Sequence, residues 1–366
     1  MTTNTASPRG STPNSFVNSL TTARLPRWAP WAILGASWLV SFGIFALLAA
    51  ASGSDVNIVL AIVVGTVLFN ILIYVIARLV EGSRQATNRF VTSLVSSAFV
   101  IALLPLISLL FTVVTSGLGR FDPTFFSNSM RNIVGEGGGA AHAIIGTLLI
   151  TGMATLISVP IGVLAAIYLV EYGRGRLAQA ITFFVDVMTG IPSIVAGLFA
   201  YAFFSLIFSD PGIRFGFGGS IALCLLMIPV VVRSSEEMLR IVPNELREAA
   251  YALGVPKWLT ILKVVIPTSI AGIATGVTLA ISRVIGETAP LLIIAGFTAS
   301  VNTNLFADRM MTLPVYVYNQ YAIPGTDVDV YLDRAWTGAL VLILIVMALN
   351  VIARLIARIF SPKLGR

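Results

Sequence analysis

Eight apolar runs, each long enough to cross a lipid bilayer, dominate this 366-residue chain. They cover about 28–51, 56–77, 90–115, 142–170, 179–208, 219–239, 266–295 and 335–358. A helix needs roughly 20 apolar residues to cross ~30 Å of hydrocarbon. Lipid offers the backbone no hydrogen bonds, so only helices or closed barrels traverse it. Composition points the same way: 57% of residues are hydrophobic and 11% charged, against roughly a quarter charged in soluble domains. Mean hydropathy is +0.94. The expectation is an all-α, multi-pass transmembrane helical protein with about eight spanning helices, several long enough to tilt. The first run ends at Ala49-Ala50-Ala51 like a signal-peptidase site. It is long for a signal peptide and reads as an uncleaved anchor.

Eight spans place both termini on one side, and charge selects which. With the N-terminus inside, seventeen of the 23 basic residues fall in cytoplasmic segments. Five (Arg120, Arg131, Arg214, Arg309 and Arg334) fall outside, and Arg283 lies within a run. Lys and Arg are retained on the cytoplasmic side of membrane proteins, so both termini are expected in the cytoplasm. The net charge of +7 then reflects topology and implies no nucleic-acid partner. Residues 1–27 are rich in Ser, Thr, Asn and Pro, with three arginines and no acid, and read as a disordered cytoplasmic tail. Gly135-Glu136-Gly137-Gly138-Gly139 reads as a flexible hinge into the fourth helix.

Several chemistries are excluded. One cysteine and one histidine allow neither an internal disulfide nor a Cys/His metal cluster, so no metal is expected. Cys224 reads as apolar filler, and His142 as an interfacial or capping residue. No nucleophile–base set is visible, so no catalytic residues are expected. The lysines (Lys257, Lys263 and Lys363) all follow residues other than glycine, so no Gly-Lys-Ser/Thr phosphate loop exists. The chain is expected to bind no cofactor, and any ATP used would be hydrolysed by a separate protein.

Between the sixth and seventh runs, residues 243–255 carry a helical pattern. Pro243 suits a first turn, Glu245 and Glu248 complement the positive end of the helix dipole, and Gly254 with Pro256 stops it. Leu246, Ala249, Ala250 and Leu253 fall at i, i+3, i+4 and i+7, giving one narrow apolar face. Such a helix either lies on the lipid interface or docks into a partner's groove. Elsewhere, Asp186 and Arg233 lie about equally deep from the cytoplasm, where they can pair or snorkel to the interface. Pro192 and Pro229 are expected to kink their spans, Gly272 and Gly276 to permit close helix packing, and Tyr316, Tyr318 and Tyr321 to form an aromatic belt or outer surface.

Glu248-Ala249-Ala250, Gly254, Val264, Ile266 and Pro267 resemble the EAA loop of bacterial ABC importer permeases, with Val and Ile at the places of Ile and Leu. The resemblance implies a type I ABC importer permease core at 137–361. It makes 243–255 a coupling helix, with Glu245, Leu246, Glu248, Ala249, Ala250, Leu253 and Gly254 seated on an ATPase. Arg283-Val284-Ile285-Gly286-Glu287-Thr288-Ala289-Pro290-Leu291-Leu292 is similar to the signature of phosphate importer permeases, its ending to the PstA type. Gly190-Ile191-Pro192-Ser193-Ile194-Val195 and Leu313-Pro314-Val315-Tyr316-Val317-Tyr318 fit the same family. The resemblance implies phosphate import across the bacterial plasma (inner) membrane with a PstC-like partner permease, two cytoplasmic ATPase copies and an external phosphate-binding protein. Residues 28–136 become accessory helices plus an external loop. Arg283 and Glu287 are expected four apart on one helical face, forming either a packing ion pair or, with Thr288, part of the substrate path. In the empty state Glu287 is expected to neutralise Arg283. Another oxyanion such as sulfate or molybdate, or a standalone ion-coupled transporter or channel, is the alternative.

Overall fold

A computed structural model describes residues 25–53 and 55–360. Residues 1–24 of the expected tail lie outside the described residues. Among the described residues the chain is helical, without strands. Among the described residues, seven helical stretches are long and apolar enough to cross a membrane, or eight if one bent pair counts as a span.

The chain divides into two compact units, 1–109 and 110–366. The first holds α1 (Ala29–Ser52), α2 (Ile58–Val80) and most of α3 (Ser83–Gly117). Gly53 closes α1 in a left-handed conformation at φ 64°, and the Asn57 side chain caps α2 by accepting from the Leu60 N–H. α1 and α2 pack tightly because Gly65 has no side chain. A Cβ there would lie 2.6 Å from Trp38 Cδ1. The Ser41 hydroxyl donates to the Ala61 carbonyl at 2.7 Å across the same seam.

The second unit continues with α4 (Pro123–Ser127) and α5 (Ala141–Ile167), which runs on through a π-helical turn at Tyr168–Tyr172. Next come α6 (Arg176–Thr189), α7 (Ser193–Phe208), α8 (Gly216–Ile241), α9 (Asn244–Ala252) and α10 (Lys257–Thr260). A second π-helical turn, Ile261–Val265, leads into α11 (Ile266–Val284). The unit ends with α12 (Ala289–Ile294), α13 (Leu313–Ala322) and α14 (Val328–Phe360). α8 is the central helix. A Cβ at Gly162 of α5 would lie 2.7 Å from Val231, and one at Gly276 of α11 would lie 2.5 Å from Ser234. Small residues let helices approach in lipid, where dispersion and hydrogen bonding replace the hydrophobic effect as the source of association.

The unit boundary precedes the 136/137 division expected from the sequence, because residues 110–140 are tied into the second unit. Phe125 is fully buried. The Thr337 hydroxyl donates to the Gly117 carbonyl at 3.0 Å. Arg120 reaches the Gly138 carbonyl at 3.1 Å, and Arg334 reaches the Gly135 carbonyl at 3.0 Å. The glycine segment expected to be a free hinge is therefore pinned by two guanidinium groups. Arg334, assigned from the sequence to an outer connection, is a fully buried residue of α14. Outside the spans, Asp122 caps α4. Donation from the Thr124 hydroxyl and the Phe125 N–H holds its carboxyl below the usual carboxylate range.

Two expected spans are broken. The run 179–208 bends by 111° between α6 and α7, at Gly190-Ile191-Pro192. Proline removes a helix donor and disfavours helical geometry in the residue before it. The run 266–295 stops at Val284 and restarts at Ala289. His142 is buried and makes no cap; its ring packs edge-on against Tyr316 at 5.6 Å. Tyr316 is fully buried, which removes it from the expected belt or outer surface, while Tyr318 and Tyr321 are exposed.

Candidate functional site

The break after α11 holds the candidate path residues. Arg283 sits in the last turn of α11, and the Glu287 N–H bonds the Val284 carbonyl in the turn that follows. Thr288 precedes α12, whose first turn contains Pro290. Gly286 weakens helix propagation at this point, and Pro290 starts a new helix because it needs no N–H partner in a first turn. Glu287 therefore lies outside the helix that carries Arg283. The expected shared helical face is absent, and so is the expected ion pair: among the described residues no carboxylate lies within 4 Å of Arg283. Arg283 is exposed, and Glu287 and Thr288 are half-buried.

The helices that follow the two breaks, α7 and α12, meet. A Cβ at Gly197 of α7 would lie 2.5 Å from Pro290 Cα. α12 also presses on α8, where Gly218 admits Ile294 and Gly219 admits Leu291 and Ala295. Leu291 and Ile294 are both nearly fully buried. Glycines on two neighbouring helices thus seat the short helix that follows Thr288. Non-helical backbone at membrane depth survives only where protein or a watered cavity satisfies it.

Asp186 and Arg233 are partners: Arg233 donates to Asp186 across α6 and α8. The network is larger than the pair. Arg233 and Arg240 both bind the nearly buried Glu236, at 2.9 and 2.6 Å. Spacings of three and four along α8 make those two contacts legible in sequence.

The second candidate region is α9. It is a helix as expected, and Gly254 follows in a left-handed conformation at φ 75°. Its apolar face is divided. Leu246 and Leu253 are 42% and 83% exposed, whereas Ala250 is 8% exposed and turned into the chain. Glu245, Glu248 and Ala249 are exposed as well. Ala250 therefore belongs to the helix's seat and not to its outer surface.

That seat centres on Arg247, which sequence reading passed over. Its Nε donates to Glu171 Oε1 at 3.0 Å. Its Nη1 and Nη2 reach the Val242 and Leu239 carbonyls at 2.6 and 3.0 Å. The ion pair is enclosed, with Arg247 11% and Glu171 4% exposed at the side chain. Lys257 adds a bond to the Glu171 carbonyl and lies over the Tyr172 ring. One guanidinium thus ties α9 to the π-helical end of α5 and to the terminal carbonyls of α8, which a helix leaves unpaired. Glu171 is 76 positions away, so no spacing rule announces it.

Residues 158–366 match the family described as binding-protein-dependent transport system inner membrane component, which covers more than half of the chain. The chain is 44% identical over 277 residues to the phosphate transport system permease protein PstA 1 of Mycobacterium tuberculosis strain H37Rv, covering 75% of this chain and 88% of that one. It is 41% identical over 273 residues to PstA of Haemophilus influenzae, covering 74% and 94%. Among solved structures, a bacterial ABC transporter involved in alginate import gives a TM-score of 0.49 at 15% identity, covering 74% of this chain and 96% of that one. An inward-facing MetNI methionine ABC transporter gives 0.47 at 19%, covering 61% and 95%. The match over 158–366 and the identity to whole-length relatives place this multi-pass chain in the binding-protein-dependent transport permease family, among the phosphate transport permeases of PstA type.

Proposed function

We propose that the chain forms half of the translocation path of an ATP-driven phosphate importer. The observation that carries this reading is Arg283, a guanidinium at a broken span with no carboxylate partner in the described structure. An unpaired charge at membrane depth is costly unless hydrated or matched by a passing ion. The planar fork binds oxyanions through parallel hydrogen bonds and stays charged at any physiological pH.

Glu287 then acts on the anion and not on Arg283. A carboxylate only accepts hydrogen bonds. Phosphate carries a proton near neutral pH and can donate to it; sulfate and molybdate are fully deprotonated and are repelled. Thr288 offers a hydroxyl that donates or accepts. The mixture of one attracting and one repelling charge keeps binding transient, as conduction requires.

ATP hydrolysis belongs to a partner. α9, with exposed Leu246, Ala249 and Leu253, docks on a cytoplasmic ATPase, and Arg247 passes its displacement to α5 and α8. The complex contains a PstC-like permease, two ATPase copies and an extracytoplasmic phosphate-binding protein. This chain binds no nucleotide, cofactor or nucleic acid. It lies in the bacterial plasma membrane with both termini in the cytoplasm, and works by alternating access.

Vesicles containing the whole complex test the reading. Labelled phosphate should accumulate only with ATP on the ATPase side, and a hundredfold excess of sulfate or molybdate should not compete. Accumulation without ATPase, or competition by sulfate, overturns it.

A further inference from the structure

A cleft of about 760 Å³ opens within the first unit between α1, α2 and α3. Its size falls in the range of small-molecule sites, roughly 300–1,000 Å³. The lining changes character along α3. Gln85, Asn88, Thr92 and Ser96 share one face, and Val100, Ile101 and Leu104 continue the wall. α3 has 35 residues, so at 1.5 Å per residue it is ~52 Å long against ~30 Å of hydrocarbon. Its polar half therefore reaches the headgroup zone while its apolar half stays among acyl chains. Trp31 and Trp38 of α1 face the same cleft, and Trp31 is 74% exposed. Indoles favour that interfacial depth.

Charge favours one class of occupant. Glu81 joins α2 to α3 at the polar end, is buried, and binds Arg89 at 2.5 and 2.7 Å. It also accepts from the Leu25 N–H at 2.6 Å, which brings the start of α1 to that end. Arg27 and Arg84 stand exposed there, with no ion pair among the described residues. Arg27 and Arg84 do not line the cleft but stand three and one positions from the lining residues Pro30 and Gln85, which makes that end basic; the α3 wall carries hydroxyl and amide groups there and apolar side chains beyond Ser97, and α1 and α2 supply a largely apolar wall throughout.

We propose that this cleft is a site for one anionic glycerophospholipid. The phosphate lies at the Arg27 and Arg84 rim, ester carbonyls and glycerol oxygens meet the Asn88–Thr92–Ser96 face, and an acyl chain runs along Val100 and Leu104. A basic residue near a membrane surface attracts an anionic lipid about fivefold in binding constant. The site lies outside the matched family region, which begins at residue 158, and is independent of the phosphate path.

The test uses the full complex in nanodiscs of equal phosphatidylglycerol and phosphatidylcholine, then detergent extraction and native mass spectrometry of retained lipid. The wild type should retain phosphatidylglycerol above its supplied share. Arg27→Gln and Arg84→Gln, both on exposed side chains, should each reduce that preference about fivefold. Ser96→Trp fills the cleft and should remove retained lipid of both kinds; if it lowers assembly, the two rim variants carry the test alone. Retention of the two lipids in the supplied ratio, or an unchanged preference in both rim variants, overturns the proposal.

Discussion

Replacing Arg247 by methionine removes a charge while keeping a flexible side chain of similar reach. The partner left behind, Glu171, is 4% exposed at its side chain. Breaking a buried pair on one side costs roughly 3–5 kcal/mol, because the remaining charge stays unpaired in a poor solvent. The Leu239 and Val242 carbonyls lose their donors at the same time. Arg247→Met should therefore lower the thermal stability of the purified protein and release α9 from its seat. Arg247→Lys retains the charge but cannot reach Glu171 and both carbonyls together, so it should fall between the two. Arg247→Met with Glu171→Gln removes the buried charge and should recover most of the stability. It should not recover coupling, because the carbonyls at the end of α8 remain unheld. The assay is thermal unfolding of the detergent-solubilised complex, run beside ATPase activity and phosphate uptake. A single variant with unchanged stability and normal uptake per ATP refutes the assignment of Arg247 as the residue that positions α9.

Leu253→Glu, on a residue 83% exposed, should abolish ATPase co-purification without lowering stability; Ala250→Arg, at 8% exposed, should instead destabilise the seat, as unfolding curves will show. Gly197→Leu forces its side chain against Pro290, where a Cβ alone would lie 2.5 Å from Cα; overpacking of this kind costs about 1–3 kcal/mol, and uptake should fall with stability. Glu287→Gln should leave assembly intact and admit sulfate as a competitor, measured by inhibition of labelled phosphate uptake.

The spans and α9 were legible because lipid imposes helix length and because Pro243 and Gly254 are local signals. The breaks were not. Hydropathy runs unbroken through 266–295 apart from Arg283, Glu287 and small polar residues, so the pattern reads as one helix. What ends α11 is Gly286 together with a new helix start at Pro290, and the choice is enforced by Gly197, Gly218 and Gly219 on other helices. Spacing alone placed Arg283 and Glu287 together. The structure separates them: α11 ends at Val284 and Glu287 lies beyond it. Pro192 was legible as a kink but not as a 111° bend. The burial of Arg334 was not legible for the opposite reason: two of its acceptors, the Gly135 and Gly137 carbonyls, are nearly 200 positions away, and a backbone oxygen leaves no mark in sequence. Arg247 and Glu171 share that difficulty. The burial of Ala250 is not legible because an apolar stripe does not say which of its edges faces the chain.

The most direct test of the central claim is Arg283→Lys in the vesicle uptake assay, with ATPase activity read from the same preparation. Arg283 is exposed and has no ion-pair partner in the described structure, so the lysine variant should assemble and hydrolyse ATP as the wild type does. Loss of the planar fork should then cut phosphate uptake at least tenfold, as the loss of about 1.4 kcal/mol of oxyanion recognition would. Uptake equal to the wild type at equal ATP turnover contradicts the account, because the guanidinium would then take no part in passing phosphate.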